Sequence, residues 1–529
     1  VHDSTSPKES LAITSEPLRG PAASRHHGRN GWKREGLPSR SPDDTNDLQM
    51  NARSHLWEKP RKSPCGSYRH HPGKIFPMSD LRTVPKHTAL LIGLMIFGLF
   101  FGAGNLIFPV ELGRLAGHSA PITGAGFLVT AVGIPIVAII SSAVSGCSSV
   151  HGMTSRVSPH YATIFTCLLY LTIGPAFAIP RTATVSYEVG VAPFIQGHGP
   201  ALPIFTIVFF AMTLVAALKP GKLMDWVGRY LTPLFLALLA ILIVATLIHP
   251  MPTVANRPPQ PPYDHQPFMH GFLDGYNTMD ALASLAFAIV IIEAINQRGL
   301  TGRRDVTHIT IRAGLVATIP LTLVYVSLAW LGRTSALVVP NAANGGVVLA
   351  GVSRHYYGTA GQVLIAAIVL VACLKTAIGL VVACAEIFRR MFPAGPSVRS
   401  WVVIFSVASA IIANAGLTTI IAWSTPVLMF LYPLAITAII LGLLDPWLGA
   451  SRLPHRIMTG CVALAALPDL VRALPIQGSE TRAITHVADM VLPWASDGLG
   501  WGLPAVIGLA AGWGASLIVG RPRRWGTSS

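Results

Sequence analysis

The sequence predicts an all-α membrane protein with twelve transmembrane helices. Of its 529 residues, 51% are hydrophobic and only 12% are charged, with a mean hydropathy of +0.54. Apolar runs of about 20 residues, the length at which a helix spans a hydrocarbon core of about 30 Å, recur along the chain. Basic residues collect in alternate connections between these runs, as the positive-inside rule requires of a multi-span protein.

Residues 1–77 come before the first run. They are rich in Pro, Ser, Arg and His, have no period, and lack the apolar core of a signal peptide. Met78 stands ten residues before the first run at 88. Residues 1–77 therefore read as a disordered or non-native N-terminal extension, with a genuine cytoplasmic tail as the alternative. Residues 78–529 form a twelve-helix membrane domain. Its twelve runs lie near 88–110, 121–146, 161–189, 201–218, 230–249, 267–297, 311–333, 361–388, 400–415, 419–444, 456–473 and 498–520. An even number places both termini on one side.

The formal charge of +16 would suit a nucleic-acid partner if the basic residues clustered on one face. They follow topology instead. From residue 78 on, one set of alternate segments carries 18 Lys and Arg and the other carries six. This bias puts both termini in the cytoplasm, implies a multi-pass protein of the inner (plasma) membrane surrounded by lipid, and makes nucleic acid unnecessary as a partner. Two cations, Arg181 and Lys375, fall inside predicted spans. The six cysteines show no metal-like spacing; four of them lie within apolar runs and read as small hydrophobes, so no disulfide framework is expected.

The first run contains Phe100-Phe101-Gly102-Ala103-Gly104-Asn105, with Gly98 just before it. Each glycine weakens a helix by about 1 kcal/mol relative to alanine, so the helix is predicted to unwind here. Small residues at such spacing also let helices pack closely without any ligand. Asn105 argues for a site, because a polar group at membrane depth needs a partner and broken helices in secondary transporters bind substrate and ions. The N-terminus of the outer half-helix, opening at Ala103 and Gly104, would then receive a carboxylate on its backbone N–H groups.

An inverted repeat predicts a second broken helix five helices later. The sixth run, HGFLDGYNTMDALASLAFAIVIIEAINQRG, is long and polar in its outer half. Its apolar middle, Ser284 to Ala288, is the expected counterpart of the first break. Asp274 reads as a water-interface residue, a reading that stays open for Asp280.

Five segments then carry a resemblance. GLMIFGLFFGAGNLIFP, GPAFAIPRTATVSYEVGVAPF (174–194), KPGKLMDWVGRYLTP (219–233), GFLDGYNTMDALASLAF (271–287) and CLKTAIGLVVACAEIF (373–388) resemble, in that order, the bacterial branched-chain amino acid carriers, the LIV-II type permeases. The resemblance extends from about Met78 to the C-terminus. It implies symport of leucine, isoleucine and valine with a cation, usually sodium, on a LeuT-like five-plus-five inverted-repeat fold with two extra helices. It implies no other cofactor.

Carried onto this chain, the resemblance places the substrate carboxylate on Ala103 and Gly104, with Asn105 reaching an ion nearby. A second ion would take oxygens near Gly98 and Phe101, with Ala372, Lys375 and Thr376 of the eighth run beside it. Lys375 departs from the pattern, for the family has a small or apolar residue there. Its ammonium either replaces that ion, giving proton-coupled or sodium-independent uptake, or is paired or snorkelled elsewhere. Arg181 and Glu188, seven residues apart, are expected to share a helix face as a coupling or gating pair in one network, the spacing being too long for a direct bridge, with substrate contact as the alternative. Phe100, Phe101 and Phe287, with Gly102 and Ser284, complete the expected substrate wall. One methylene discriminates by only about 1–3 kcal/mol, so aliphatic substrates should compete.

Other classes fit less well. The chain has no G-x-x-x-x-G-K-[ST], H-E-x-x-H or G-x-S-x-G motif, so neither an ATP-driven pump nor a hydrolytic enzyme is expected. A channel would need a continuous polar lining. A membrane amino-acid sensor on the same fold stays open.

Overall fold

The computed structural model of the chain describes residues 86–195, 200–218, 232–251, 257–300, 302–448, 451–476 and 478–518. The N-terminal extension, the basic segment from Lys219 to Arg229 and the C-terminal arginines lie outside these residues.

Every regular element described is helical. The first run comprises α1 (Lys86–Phe100) and α2 (Ala103–Ala116), and the second α3 (Ala120–Leu128) and α4 (Ile134–Ser145). After the short α5 (Val150–Thr154), the third run comprises α6 (Pro159–Leu171) and α7 (Ala178–Gly190). Then follow α8 (Ala201–Leu218), α9 (Thr232–Ile248), the pair α10 (Pro267–Asp274) and α11 (Asp280–Asn296), α12 (Arg303–Thr334) and α13 (Gly345–Met391). The C-terminal part is α14 (Val398–Ala413), α15 (Leu417–Leu448), α16 (Leu453–Ala465), α17 (Leu467–Ala473), α18 (Ser479–Val491) and α19 (Gly502–Ile518).

Among the described residues, six helical runs are long and apolar enough to cross a membrane, or seven if the bent pair α10 and α11 is one span. The sequence suggests twelve. The two figures differ because continuous helix does not correspond to single crossings. Ala103–Ser145 is one 43-residue run. At 1.5 Å per residue it would measure roughly twice the hydrocarbon thickness, and it turns at Gly117, where φ is +53°. Conversely α1, α14 and α19 are apolar but short. α18 was not expected from hydropathy. It is amphipathic, with Ile484, Val487 and Met490 exposed on one side.

α12 packs on α1 and α2, α13 on α7 and α2, α3 on α10, and α4 on α11 and α15. Phe97, Leu106, Phe127, Leu328 and Tyr432 are buried between them. The opposite faces stay apolar yet exposed, as at Ile207, Ile319, Leu323 and Ile411. That pattern suits lipid, where helices associate by close packing because the surroundings are as apolar as the side chains. α3 and α10 approach through a reciprocal pair of glycines: Gly126 faces the Phe268 carbonyl and Gly271 faces the Thr123 carbonyl, with no room for a Cβ on either.

The first run breaks at the expected place. α1 ends at Phe100, and Gly102 is extended (φ −131°, ψ −165°) immediately before α2. The break in the sixth run lies at Met279 (φ +62°, ψ 11°), after a 3₁₀ turn over Gly275–Thr278, and the two halves are bent by 44°. This corrects the expectation of a break at Ser284 to Ala288, which are continuous within α11. Residues 281–288 are strong helix formers with no glycine, whereas the polar GYNT segment leaves the ladder. A third break, at Gly174 (φ −104°, ψ −129°), separates α6 from α7. Cys167, Cys373, Cys384 and Cys461, the four within apolar runs, are free thiols, while Cys147 is disulfide-bonded, contrary to the expectation of no disulfide.

Candidate functional site

The three breaks meet at one cavity. Leu99, Phe100, Gly102 to Asn105 and Thr376 line it from the first and eighth runs, and Ile173, Ala178, Arg181 and Thr182 from the third. Thr278 to Asp280, Ala283 and Phe287 line it from the sixth. Its volume is about 50 Å³. That is room for a few water molecules at roughly 10–15 Å³ each, so seating an amino acid requires the broken helices to separate.

The backbone at the first break is oriented by Asn105. Its Oδ1 accepts the Gly102 N–H at 3.2 Å, closing the turn into α2. Its Nδ2 donates to Asp280 Oδ2 at 2.7 Å and to the Tyr325 hydroxyl. The Asn105 oxygen expected to face an ion is thus engaged by the chain itself. Ala103 and Gly104 open α2, and the first N–H groups of a helix have no partner within it. A Cβ added to Gly104 would lie 3.2 Å from Phe108 and 3.6 Å from the Asn277 carbonyl oxygen.

Two expected wall residues point elsewhere. Phe101 stacks on Phe97 at 5.5 Å and on Tyr325 at 6.5 Å, in the packed core. Ser284 is fully buried within α11 and donates to the Asp280 carbonyl oxygen at 2.6 Å. Phe100 and Phe287 do line the cavity.

The residues carried over for a second ion converge. Lys375 Nζ donates to the Gly98 carbonyl oxygen at 3.0 Å. Thr376 Oγ1 donates to the Ala372 carbonyl oxygen at 3.0 Å, and its side chain lies 3.4 Å from a Cβ placed on Gly102. The ammonium and the break therefore share one junction between α1 and α13.

Arg181 and Glu188 do not pair among the described residues. Two helical turns set them about 10 Å apart along α7, beyond direct contact. Arg181, 2% exposed, donates from Nη1 to the Asn277 carbonyl oxygen at 2.7 Å and from Nη2 to Ser424 Oγ at 2.8 Å. Its guanidinium carbon lies 5.1 Å from the centre of the Phe108 ring. Glu188 lies against the start of α13 near Gly346. A second cavity of about 320 Å³ is lined by Phe108, Glu111, Asp274 and Asn277, so Arg181 stands behind two of its wall residues.

Sequence reasoning left Asp280 open and missed Tyr325. Asp280 is 3% exposed, opens α11, and accepts on Oδ2 from Asn105 and, at 3.0 Å, from the Tyr325 hydroxyl. An aspartate directly after the polar turn of the sixth run was the available signal. Tyr325 had none, for it sits in a stretch of α12 without charged residues.

Residues 85–517 match the sequence profile of the branched-chain amino acid transport protein family. The branched-chain amino acid permease BrnQ of Lactobacillus delbrueckii subsp. lactis is 44% identical over 422 residues, which is 79% of this chain and 94% of that protein. BrnQ of Bacillus subtilis (strain 168) is 39% identical over 421 residues, covering 79% and 94%. Among solved structures, the nucleobase-cation-symport-1 family transporter Mhp1, closed with bromovinylhydantoin bound, aligns with a TM-score of 0.56 at 13% identity. That alignment covers 82% of this chain and 92% of Mhp1. The inward-facing conformation of Mhp1 aligns at 0.52, also at 13% identity, over 82% and 90%. At that identity the likeness concerns the fold alone. The relatives are permeases and the chain is a transporter, not an enzyme. By a profile match over most of its length and identities near 40%, the chain belongs to the branched-chain amino acid transport protein family.

Proposed function

We propose that the chain is a secondary active importer of leucine, isoleucine and valine, driven by a cation gradient, with sodium as the coupling ion. The observation that carries this is the meeting of two broken helices at one cavity with apolar walls from Phe100 and Phe287. Backbone groups at Ala103 and Gly104 take the substrate carboxylate, and the aliphatic side chain rests against the two rings. Gly102 lines the cavity beside them, and Phe101 and Ser284 support the site from behind. Asn105 stands beside one ion position, and Gly98, Phe101, Ala372 and Thr376 surround the other.

Breaks in the first and sixth spans, five spans apart, support an inverted repeat of five helices plus five. The long fused runs and the shorter apolar helices are compatible with twelve crossings and two extra helices at the C-terminal end. The basic bias of 18 to six supports cytoplasmic termini and an inner-membrane location. Transport then proceeds by alternating access about the midplane cavity.

A second reading has its own observation. The Lys375 ammonium already donates to the Gly98 carbonyl oxygen, one of the oxygens expected to bind the second ion. On this reading the lysine fills that position, and uptake is sodium-independent or proton-linked.

Leucine uptake into proteoliposomes, with sodium and proton gradients imposed separately, distinguishes the two. Accumulation driven by sodium alone supports the first reading; accumulation driven by a proton gradient alone supports the second. Leucine binding without uptake or counterflow would overturn both and indicate a sensor.

A further inference from the structure

The cavity is lined by one basic and one acidic side chain, Arg181 and Asp280, that do not pair with each other. Arg181 is buried, yet its hydrogen-bond partners are a carbonyl oxygen and a hydroxyl, both uncharged, and its Nε has no partner. Asp280 is buried, yet its side-chain partners are an amide and a phenol, also uncharged. No ion pair joins Asp280 or Arg181 to any residue among those described. Burying an ion is costly unless a counter-charge accompanies it, and breaking such a pair leaves the remaining charge uncompensated. A cation and an anion each held on uncharged supports, around a cavity otherwise lined mainly by apolar groups, complement a ligand that carries both charges.

Each charge is stabilised where it stands. Asp280 lies in the first turn of α11, where the helix dipole favours an anion, and two donors converge on its Oδ2. Arg181 approaches from the side of Phe108 and Asn277, the same two residues that face Gly104 at the start of α2. Its guanidinium therefore adds to the positive end of α2, and Asp280 follows Asn277 by three residues on the sixth run and lines the same cavity.

We propose that the cavity reads both charges of its substrate, Asp280 taking the α-ammonium group and Arg181, with the start of α2, taking the α-carboxylate. This rests on the reading of the chain as a carrier of aliphatic amino acids and deepens it, for it makes the protein selective for the zwitterion over an aliphatic acid or amine of equal size. Arg181 and Asp280 are then recognition residues, with Asn105 and Tyr325 positioning Asp280.

The test uses the purified full chain and ligand-induced thermal shifts with leucine, isocaproate, which lacks the amine, and isoamylamine, which lacks the carboxylate. Wild type should bind leucine at least about tenfold more tightly than either analogue. Asp280→Asn should collapse the leucine preference over isocaproate toward one, leaving isocaproate binding little changed. Arg181→Gln should collapse the preference over isoamylamine. The wild-type comparison needs no variant: isocaproate binding within about threefold of leucine would overturn the assignment of Asp280. A uniform weakening of all three ligands in both variants would make the roles structural and overturn the proposal. So would an Asp280→Asn protein with unchanged ligand preferences but a lost sodium effect, which would make Asp280 an ion ligand. If leucine fails to shift wild type at all, the carrier reading itself falls, and this inference with it.

Discussion

Lys375 on α13 reaches across to α1 and donates to the carbonyl oxygen of Gly98 at 3.0 Å, beside the break that opens α2. A cation supplied by the chain thus sits on one of the oxygens that the proposed function assigns to a coupling ion. Lys375→Val frees this carbonyl oxygen without adding a charge. We expect the variant to show a larger and steeper stimulation of leucine uptake by sodium than wild type, measured in proteoliposomes across a sodium titration. An identical sodium dependence in the two proteins would remove Lys375 from the coupling mechanism.

Gly104 is the glycine whose missing side chain matters most for ligand access. A Cβ there would stand 3.2 Å from Phe108 and 3.6 Å from the Asn277 carbonyl oxygen, and the branches of valine would extend further. Gly104→Val should therefore weaken leucine binding by about tenfold or more, roughly 1.4 kcal/mol or above. Insertion and detergent-extracted yield should stay near wild type. Normal transport by this variant would place the carboxylate elsewhere.

The Tyr325 hydroxyl links Asn105 and Asp280 across α12, α2 and α11. Tyr325→Phe removes one donor to a buried carboxylate and should destabilise the protein by about 1–3 kcal/mol. The readout is the thermal unfolding midpoint of the purified carrier, with leucine affinity measured alongside. An unchanged midpoint would mean that the network adds nothing to stability.

Far from the cavity, Gly271 holds α10 against α3 at the Thr123 carbonyl. Backbone meets backbone here, so a methyl group cannot be absorbed by a rotamer change. Gly271→Ala should cost about 1–3 kcal/mol, typical of overpacking, and lower the yield of folded protein. Leucine affinity of the surviving fraction should remain near wild type, which separates this packing role from that of Gly104.

Much of the architecture was legible in the residues themselves. Apolar length specifies where most of the helices lie, because moving polar groups through hydrocarbon is costly. The first break was legible for a local reason: Gly98, Gly102 and Gly104 lower helix propensity within one short stretch. The break at Met279 was less so, since the polar turn before it resembled an ordinary water-facing helix end and attention fell on the apolar middle of the run.

The family and the helical character follow from the sequence by itself, for they rest on composition, periodicity and motifs that each segment carries without its neighbours. Only the tertiary structure decided which polar groups meet. It turned Arg181 away from Glu188 toward Asn277 and Ser424, set Asp280 beneath Asn105 and Tyr325, and brought Lys375 to Gly98. The members of these contacts are separated by 45 to 277 positions along the chain. No local propensity encodes such distances. They arise because buried donors and acceptors in an apolar surrounding must find partners, and the packing of the broken helices determines which partners are within reach.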